Sequence, residues 1–123
     1  MALKPEDIDH INLLNWFRHN YPQYDKDMHH FANERRCSVQ EGMKLKRMGV
    51  RRGIPDFFLS VPMNDKHGLW VELKVGKNKP SPEQIEFLER QTKNNYVAVC
   101  VWGFEAGKQV ILTYLNPTKT ASA

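Results

Sequence analysis

The order of apolar patterns along this 123-residue chain predicts an α/β fold, a small mixed sheet flanked by helices. Three observations carry that expectation. Two apolar runs, FFLSV at 57–61 and LWVELKV at 69–75, lie on either side of a stretch rich in turn residues, as two adjacent strands do. A third run, YVAVCVWG at 96–103, has the unbroken apolar character of a buried strand. Segments with helical spacing lie before, between and after them, and two of these open on capping boxes.

Taken in order, the first segment is a helix over 5–19. Pro5 suits a first helical position, Glu6, Asp7 and Asp9 suit the positive end of the helix dipole, and Ile8, Ile11, Leu14 and Phe17 recur at helical spacing. Pro22 ends it. MHHFA at 28–32 is short and moderately apolar, a strand or an extended lead-in to Asn33-Glu34. Ser38-Val39-Gln40-Glu41 reads as a capping box opening a short basic helix over 39–48, and Gly49 supplies its stop. Gly53 and Pro55 precede the 57–61 strand, while Pro62, Asn64, Asp65 and Gly68 form a loop of about six residues leading into the 69–75 strand. Ser81-Pro82-Glu83-Gln84 is the second capping box, and Ile85 and Leu88 carry its helix to 94. After the 96–103 strand, EAGKQVILTYL at 105–115 reads as a last helix, weakened by Gly107 and ended by Pro117. TKTASA at 118–123 has nothing to anchor it, so the expected folded unit is one domain over 1–117 with a disordered tail.

Composition agrees with a folded globule: 41% of the residues are hydrophobic, and 6 Phe, 4 Tyr and 3 Trp supply large side chains for a core. Cys37 and Cys100 are far apart and lack zinc spacing; Cys100 reads as a small core residue and Cys37 as a free thiol. No signal peptide opens the chain and no apolar run approaches the roughly 18 residues that span a bilayer, so a cytoplasmic location is expected. The net charge of +4 is less telling than its placement. Lys44, Lys46, Arg47, Arg51 and Arg52 form one cluster, and Lys77 and Lys79 extend a second one from Lys74. Each alone is an ordinary solvated face. Flanking one acidic constellation, they favour a nucleic acid partner.

That constellation sits where strands are expected. A period of two puts Leu69, Val71, Leu73 and Val75 on one face of the 69–75 strand and Trp70, Glu72 and Lys74 on the other. Glu72 and Lys74 then project the same way, roughly 6–7 Å apart along the strand, so they are expected to share a site without collapsing into one ion pair. With Asp56 brought alongside Glu72, two carboxylates converge, and their mutual repulsion calls for a cation. Mg²⁺ or Mn²⁺ suits oxygen donors from Asp56, Glu72 and the Leu73 backbone carbonyl, and Lys74 is then placed to orient or deprotonate water or to stabilise developing negative charge. An isolated Glu-x-Lys on a strand is common and usually solvated; the combination is rare.

Gly53-Ile54-Pro55-Asp56, then Glu72-Leu73-Lys74, then Gln84 at the start of a helix, resembles the PD-(D/E)XK nuclease superfamily, and within it the virus-type replication-repair nuclease (VRR-NUC) branch, as a stand-alone, phage-like member. The likeness takes in Asn33-Glu34, KLKRMGVRRG and SPEQIEFL, and spans roughly 28–115. It implies a restriction-endonuclease-like αβββαβ core and a metal-dependent DNA nuclease. Asp56 and Glu72 match the metal ligands and Lys74 the catalytic lysine. Glu34 matches an additional, water-mediated acid, with Glu41 nearby, and Gln84 a helix-start residue beside the site. Stand-alone members resemble homodimers that cleave branched DNA such as four-way junctions. The apolar residues Leu13, Trp16 and Phe17 of the first helix are interface candidates unless they belong to the core. Other readings are a sequence-preferring endonuclease of the same superfamily and a DNA-binding module with structural acids. As a nuclease, the chain is expected to lose cleavage in Asp56→Asn, Glu72→Gln and Lys74→Ala while keeping its fold.

Overall fold

The computed structural model describes residues 3–31 and 38–116. The elements run α1 (Pro5–Asn20), a 3₁₀ turn (Pro22–Asp27), β1 (Met28–His30), α2 (Val39–Arg47), β2 (Phe57–Leu59), β3 (Leu69–Lys74), α3 (Pro82–Lys93), β4 (Val97–Trp102) and α4 (Gly103–Leu115). The four strands form one mixed sheet in the order β1-β2-β3-β4, so the predicted α/β class holds. β1–β2 and β2–β3 are antiparallel, whereas β3 and β4 are parallel, with α3 as the crossover between them.

Local chemistry accounts for most of these boundaries. Asp7 accepts a hydrogen bond from the Lys4 backbone N–H at the start of α1, and the Ser38 and Ser81 hydroxyls accept from the Glu41 and Gln84 N–H groups at the starts of α2 and α3. At α3 the box is complete, because Gln84 Oε1 accepts from the Ser81 N–H at 2.8 Å. The β2–β3 connection folds back on itself: Met63 and Lys66 pair, and Asn64 and Asp65 take positive φ between them. β2 consequently stops at Leu59, short of the expected 61.

The core lies on one face of the sheet. Leu13 and Phe17 of α1 and Ile111, Tyr114 and Leu115 of α4 close over Phe57, Leu59, Leu69, Val71 and Leu73. Leu13 and Phe17 are thus core residues, and Trp16 is half-buried against them, so these three do not form an exposed interface. Two differences from the sequence expectation follow from this packing. On α1, Ile8 and Ile11 are exposed, and the inward stripe runs through Glu6, His10, Leu13 and Phe17 instead. On α4, Gly107 lets the helix approach: a Cβ there would lie 3.1 Å from Leu13 and 3.3 Å from Leu73. The residue that weakens the helix locally is the one that lets it pack.

On the opposite face, the indole of Trp70 stacks on Phe58 with ring centres 4.2 Å apart and meets the edge of Phe87 from α3 at 4.9 Å. α3 therefore covers the side of β3 from which Glu72 and Lys74 project. Among the described residues no helix is long and apolar enough to cross a membrane.

Candidate active site

The site forms where β2 begins. Gly53 adopts φ +90°, and a Cβ on it would come within 2.7 Å of the Glu83 backbone, so only glycine lets the chain pass this close to the start of α3. Pro55 follows and has no N–H for a ladder, and regular pairing starts only at Phe57. Asp56 is fixed between these features by both of its backbone groups. Its carbonyl accepts from the Phe31 N–H at 2.7 Å, and its N–H donates to Glu72 Oε1 at 3.2 Å.

The late start of β2 has a direct consequence for β3. The N–H and C=O of a strand residue point to the same edge, and at Leu73 that edge has run out of partner strand. Asp56 Oδ2 accepts the Leu73 N–H at 2.8 Å. The Leu73 carbonyl, left without a ladder donor, faces His10 Nε2 at 3.3 Å. The backbone carbonyl expected from the sequence as a metal ligand is therefore turned into the site by the ending of a strand.

Glu72 and Lys74 are both buried, at 1% and 6% exposure. Glu72 Oε2 accepts from Lys74 Nζ at 2.9 Å and from Gln84 Nε2 at 2.9 Å. The expected separation is not kept: the ammonium folds onto the carboxylate, because a buried carboxylate in low dielectric gains most from the nearest cation. Gln84 serves two purposes at once. Its oxygen completes the α3 cap and its amide nitrogen holds Glu72.

Burial, and then the Glu72 carboxylate, push the Asp56 carboxyl up to about 8, opposed by the Leu73 N–H that it accepts. Two carboxylates crowded into a dry corner in this way repel one another when both are ionised, a repulsion that a divalent cation would offset. Two further residues join them that the sequence analysis did not single out. His10 Nε2 lies 3.5 Å from Asp56 Oδ2 and 4.0 Å from Glu6 Oε1, and the donor atoms of Glu6, His10 and Asp56 all lie within 4.8 Å of one another, a cluster able to hold a metal ion. The His10 ring also meets His30 at 5.3 Å, edge to face, and burial followed by His10 lowers the His30 pKa. The available signal was Glu-x-x-x-His, one helical turn before the buried Leu13 and Phe17.

The basic residues lie outside this buried corner. Lys44, Lys46 and Arg47 on α2, Arg51 and Arg52 in the strand approach, and Lys77 and Lys79 after β3 are all exposed. The packing of Gly53 on Glu83 carries the Arg51-Arg52 segment to the start of α3, beside Gln84. Glu34, with Asn33 and Cys37, lies outside the described residues, as does the 118–123 tail. Cys100 is half-buried opposite Glu72 in the β3–β4 register, and burial raises its thiol pKa to about 11.

No protein-family model matches the chain, and no curated protein matches it by sequence. A solved structure described as a VRR_NUC domain protein does match, with TM-score 0.80 and 28% identity, over 94% of this chain and 92% of that one. The chain thus shares the fold of a VRR_NUC domain protein, in line with the resemblance carried by Gly53-Ile54-Pro55-Asp56, Glu72-Leu73-Lys74 and Gln84.

Proposed function

We propose that this domain is a divalent-cation-dependent DNA endonuclease that hydrolyses phosphodiester bonds at branched DNA such as four-way junctions. The observation that carries this reading is the convergence of Asp56, Glu72, Lys74 and the Leu73 carbonyl in one buried corner, next to a solvated basic surface. Asp56, Glu72 and the Leu73 carbonyl would hold Mg²⁺ or Mn²⁺, which when bound would acidify water and offset the charge of the scissile phosphate. Gln84 keeps Glu72 in place from the start of α3. Lys74 Nζ, now 2.9 Å from Glu72, orients water and donates to the negative charge that develops on the phosphate. Glu34 acts as an additional acid through water.

Lys44, Lys46, Arg47, Arg51, Arg52, Lys77 and Lys79 bind phosphates on either side of the cleaved bond. The domain acts as a homodimer, which places two sites on opposing strands. The decisive assay incubates purified protein with single strands, linear duplex, flaps, forks and four-way junctions, with and without Mg²⁺ or Mn²⁺. Cleavage is expected to need the cation, to favour junctions and to vanish in Glu72→Gln. Cleavage retained in that variant rejects the assignment, and equal cutting of linear duplex replaces the branched substrate with general or sequence-preferring activity. Sedimentation of the free protein tests the dimer.

A further inference from the structure

Of the three tryptophans, two pack against other rings: Trp16 meets Tyr21 at 6.0 Å, and Trp70 stacks on Phe58 at 4.2 Å and meets Phe87 at 4.9 Å. Trp102 is different. It ends β4 with 45% of its surface exposed, and among the described residues no aromatic ring packs against it. The ring is nevertheless fixed. Its Nε1–H donates to the Asn78 carbonyl at 2.7 Å, and Asn78 belongs to a turn after β3 in which its own N–H donates to the Val75 carbonyl at 3.2 Å. Single exposed apolar side chains are ordinary, but an indole pinned at its polar end with its ring unpartnered is a preformed stacking surface.

The sheet gives that surface its neighbours. Trp102 is the register partner of Lys74 in the parallel β3–β4 pair, so the two side chains leave the same face from strands about 4.8 Å apart. The carbonyl that anchors the indole lies between Lys77 and Lys79, both exposed. The ring and these two lysines therefore share one rim, beside the lysine that faces the scissile phosphate in the reading above. A nucleotide offers both features that such a rim can bind: a phosphate for a lysine and a π-face for the indole. In intact duplex both faces of a base are covered by its stacked neighbours, so only a nucleotide out of the stack can use Trp102.

We propose that Trp102 is a stacking platform for one unpaired base next to the cleaved phosphodiester, with Lys77 and Lys79 holding the phosphates beside it. The proposal rests on the DNA nuclease reading above and deepens it by naming the feature recognised, an unstacked nucleotide at the branch. A base already unpaired at a fork or junction costs little to place on the ring, whereas a base drawn from intact duplex first gives up its own pairing and stacking. Stacking on Trp102 then favours branched over linear substrates by roughly tenfold.

The test measures binding by the full chain in chelator, so that no strand is cut, from the fluorescence anisotropy of a single strand, a fork with one unpaired arm and a fully paired linear duplex. Trp102→Leu keeps an apolar side chain without a π-face, and Trp102→Phe keeps a ring that cannot donate to Asn78; circular dichroism and thermal melting check that both fold. Trp102→Leu is expected to bind the single strand and the fork about tenfold more weakly and the duplex within about twofold of wild type, with Trp102→Phe between the two proteins on unpaired DNA. An abasic scan along the unpaired arm gives a readout that a structural role would not move: one position weakens wild type by about tenfold, and the same abasic site has almost no further effect on Trp102→Leu. Should the leucine variant fail to fold, the scan on wild type and Trp102→Phe decides the question. Equal losses on duplex and unpaired DNA in Trp102→Leu, or no sensitive abasic position in wild type, overturn the proposal. DNA binding that neither substitution alters overturns it as well and leaves the ring to a protein partner. A sensitive position in a protein that cuts no DNA with Mg²⁺ or Mn²⁺ present keeps the platform and rejects the nuclease reading. Cation-dependent cleavage without a sensitive position does the reverse.

Discussion

Asp56 and Glu72 hold one another across the β2–β3 pair: the Asp56 N–H donates to Glu72 Oε1 at 3.2 Å, while Asp56 Oδ2 accepts the N–H of Leu73, the residue next to Glu72, at 2.8 Å. The backbone thus keeps two carboxyl groups adjacent in a buried place. Where both are ionised and no cation is bound, this arrangement opposes folding, as expected when a site is built for a ligand.

Asp56→Asn removes one of the two charges and keeps an oxygen able to accept the Leu73 N–H. In chelator at pH 8 or above, the variant is expected to melt several degrees higher than wild type, in line with about 1–2 kcal/mol of relieved burial and repulsion. Its cleavage should be undetectable. A melting temperature lowered at that pH contradicts the electrostatic account even if activity is lost.

The same carboxyl sets a pH dependence. Between the ordinary value of 3.8 and about 8 the folded protein keeps a proton on Asp56 that the unfolded chain has released. The contribution of Asp56 to metal-free stability is therefore greatest below pH 4, falls through that window as the pH rises, and is flat above it. Chemical denaturation of wild type and Asp56→Asn across pH 4–9 isolates this contribution, and parallel curves for the two proteins count against it. Cations compete with the proton, so stabilisation by Mn²⁺ should grow with pH up to about 8.

The sequence suggested that Lys74→Ala would spare the fold, and burial revises that expectation. Lys74 is 6% exposed and pairs with a fully buried Glu72, so the truncation leaves a charge without its cation. A loss of about 3–5 kcal/mol is expected in the absence of metal, on the order of 10 °C in melting temperature, along with loss of cleavage. Mn²⁺ should restore part of the stability and none of the cleavage. Near wild-type melting of Lys74→Ala in chelator argues against a buried pair.

Gln84 offers a way to separate a structural from a positioning role. Gln84→Ala removes both the cap and the contact to Glu72, costing about 1 kcal/mol and lowering turnover. Gln84→Glu keeps an oxygen for the Ser81 N–H but turns the group facing Glu72 from donor into anion. Turnover in Gln84→Glu should fall below that of Gln84→Ala, although its helix start is the better capped. The reverse order of kcat values reduces Gln84 to a capping residue.

Arg51 and Arg52 are exposed beside the start of α3, where they can meet backbone phosphates. Replacing both by alanine is expected to weaken DNA binding most at low salt and to reduce the slope of log K against log salt by about 1–2. An unchanged slope, measured with catalysis blocked by chelator, leaves the pair as an ordinary solvated face.

The sequence by itself determined the elements and the strand-borne part of the site. Serines followed by prolines and acids start helices by local hydrogen bonding, and a period of two commits Glu72 and Lys74 to one face wherever the strand lies. Gly53-Ile54-Pro55-Asp56 likewise carries its own geometry, a positive φ followed by a residue that cannot pair. Tertiary structure decided the rest, because it depends on which surface a neighbour covers. The apolar residues Ile8 and Ile11 suggested one inward face for α1, but packing on Phe57 and Leu73 selected another and turned Glu6 and His10 into the site. Gly107 looked like a flaw in α4 until Leu13 and Leu73 were found against it. Lys74 closed on Glu72 because burial raised the benefit of pairing above that of staying solvated, an energy set by the dielectric of the finished fold and invisible to the spacing of residues.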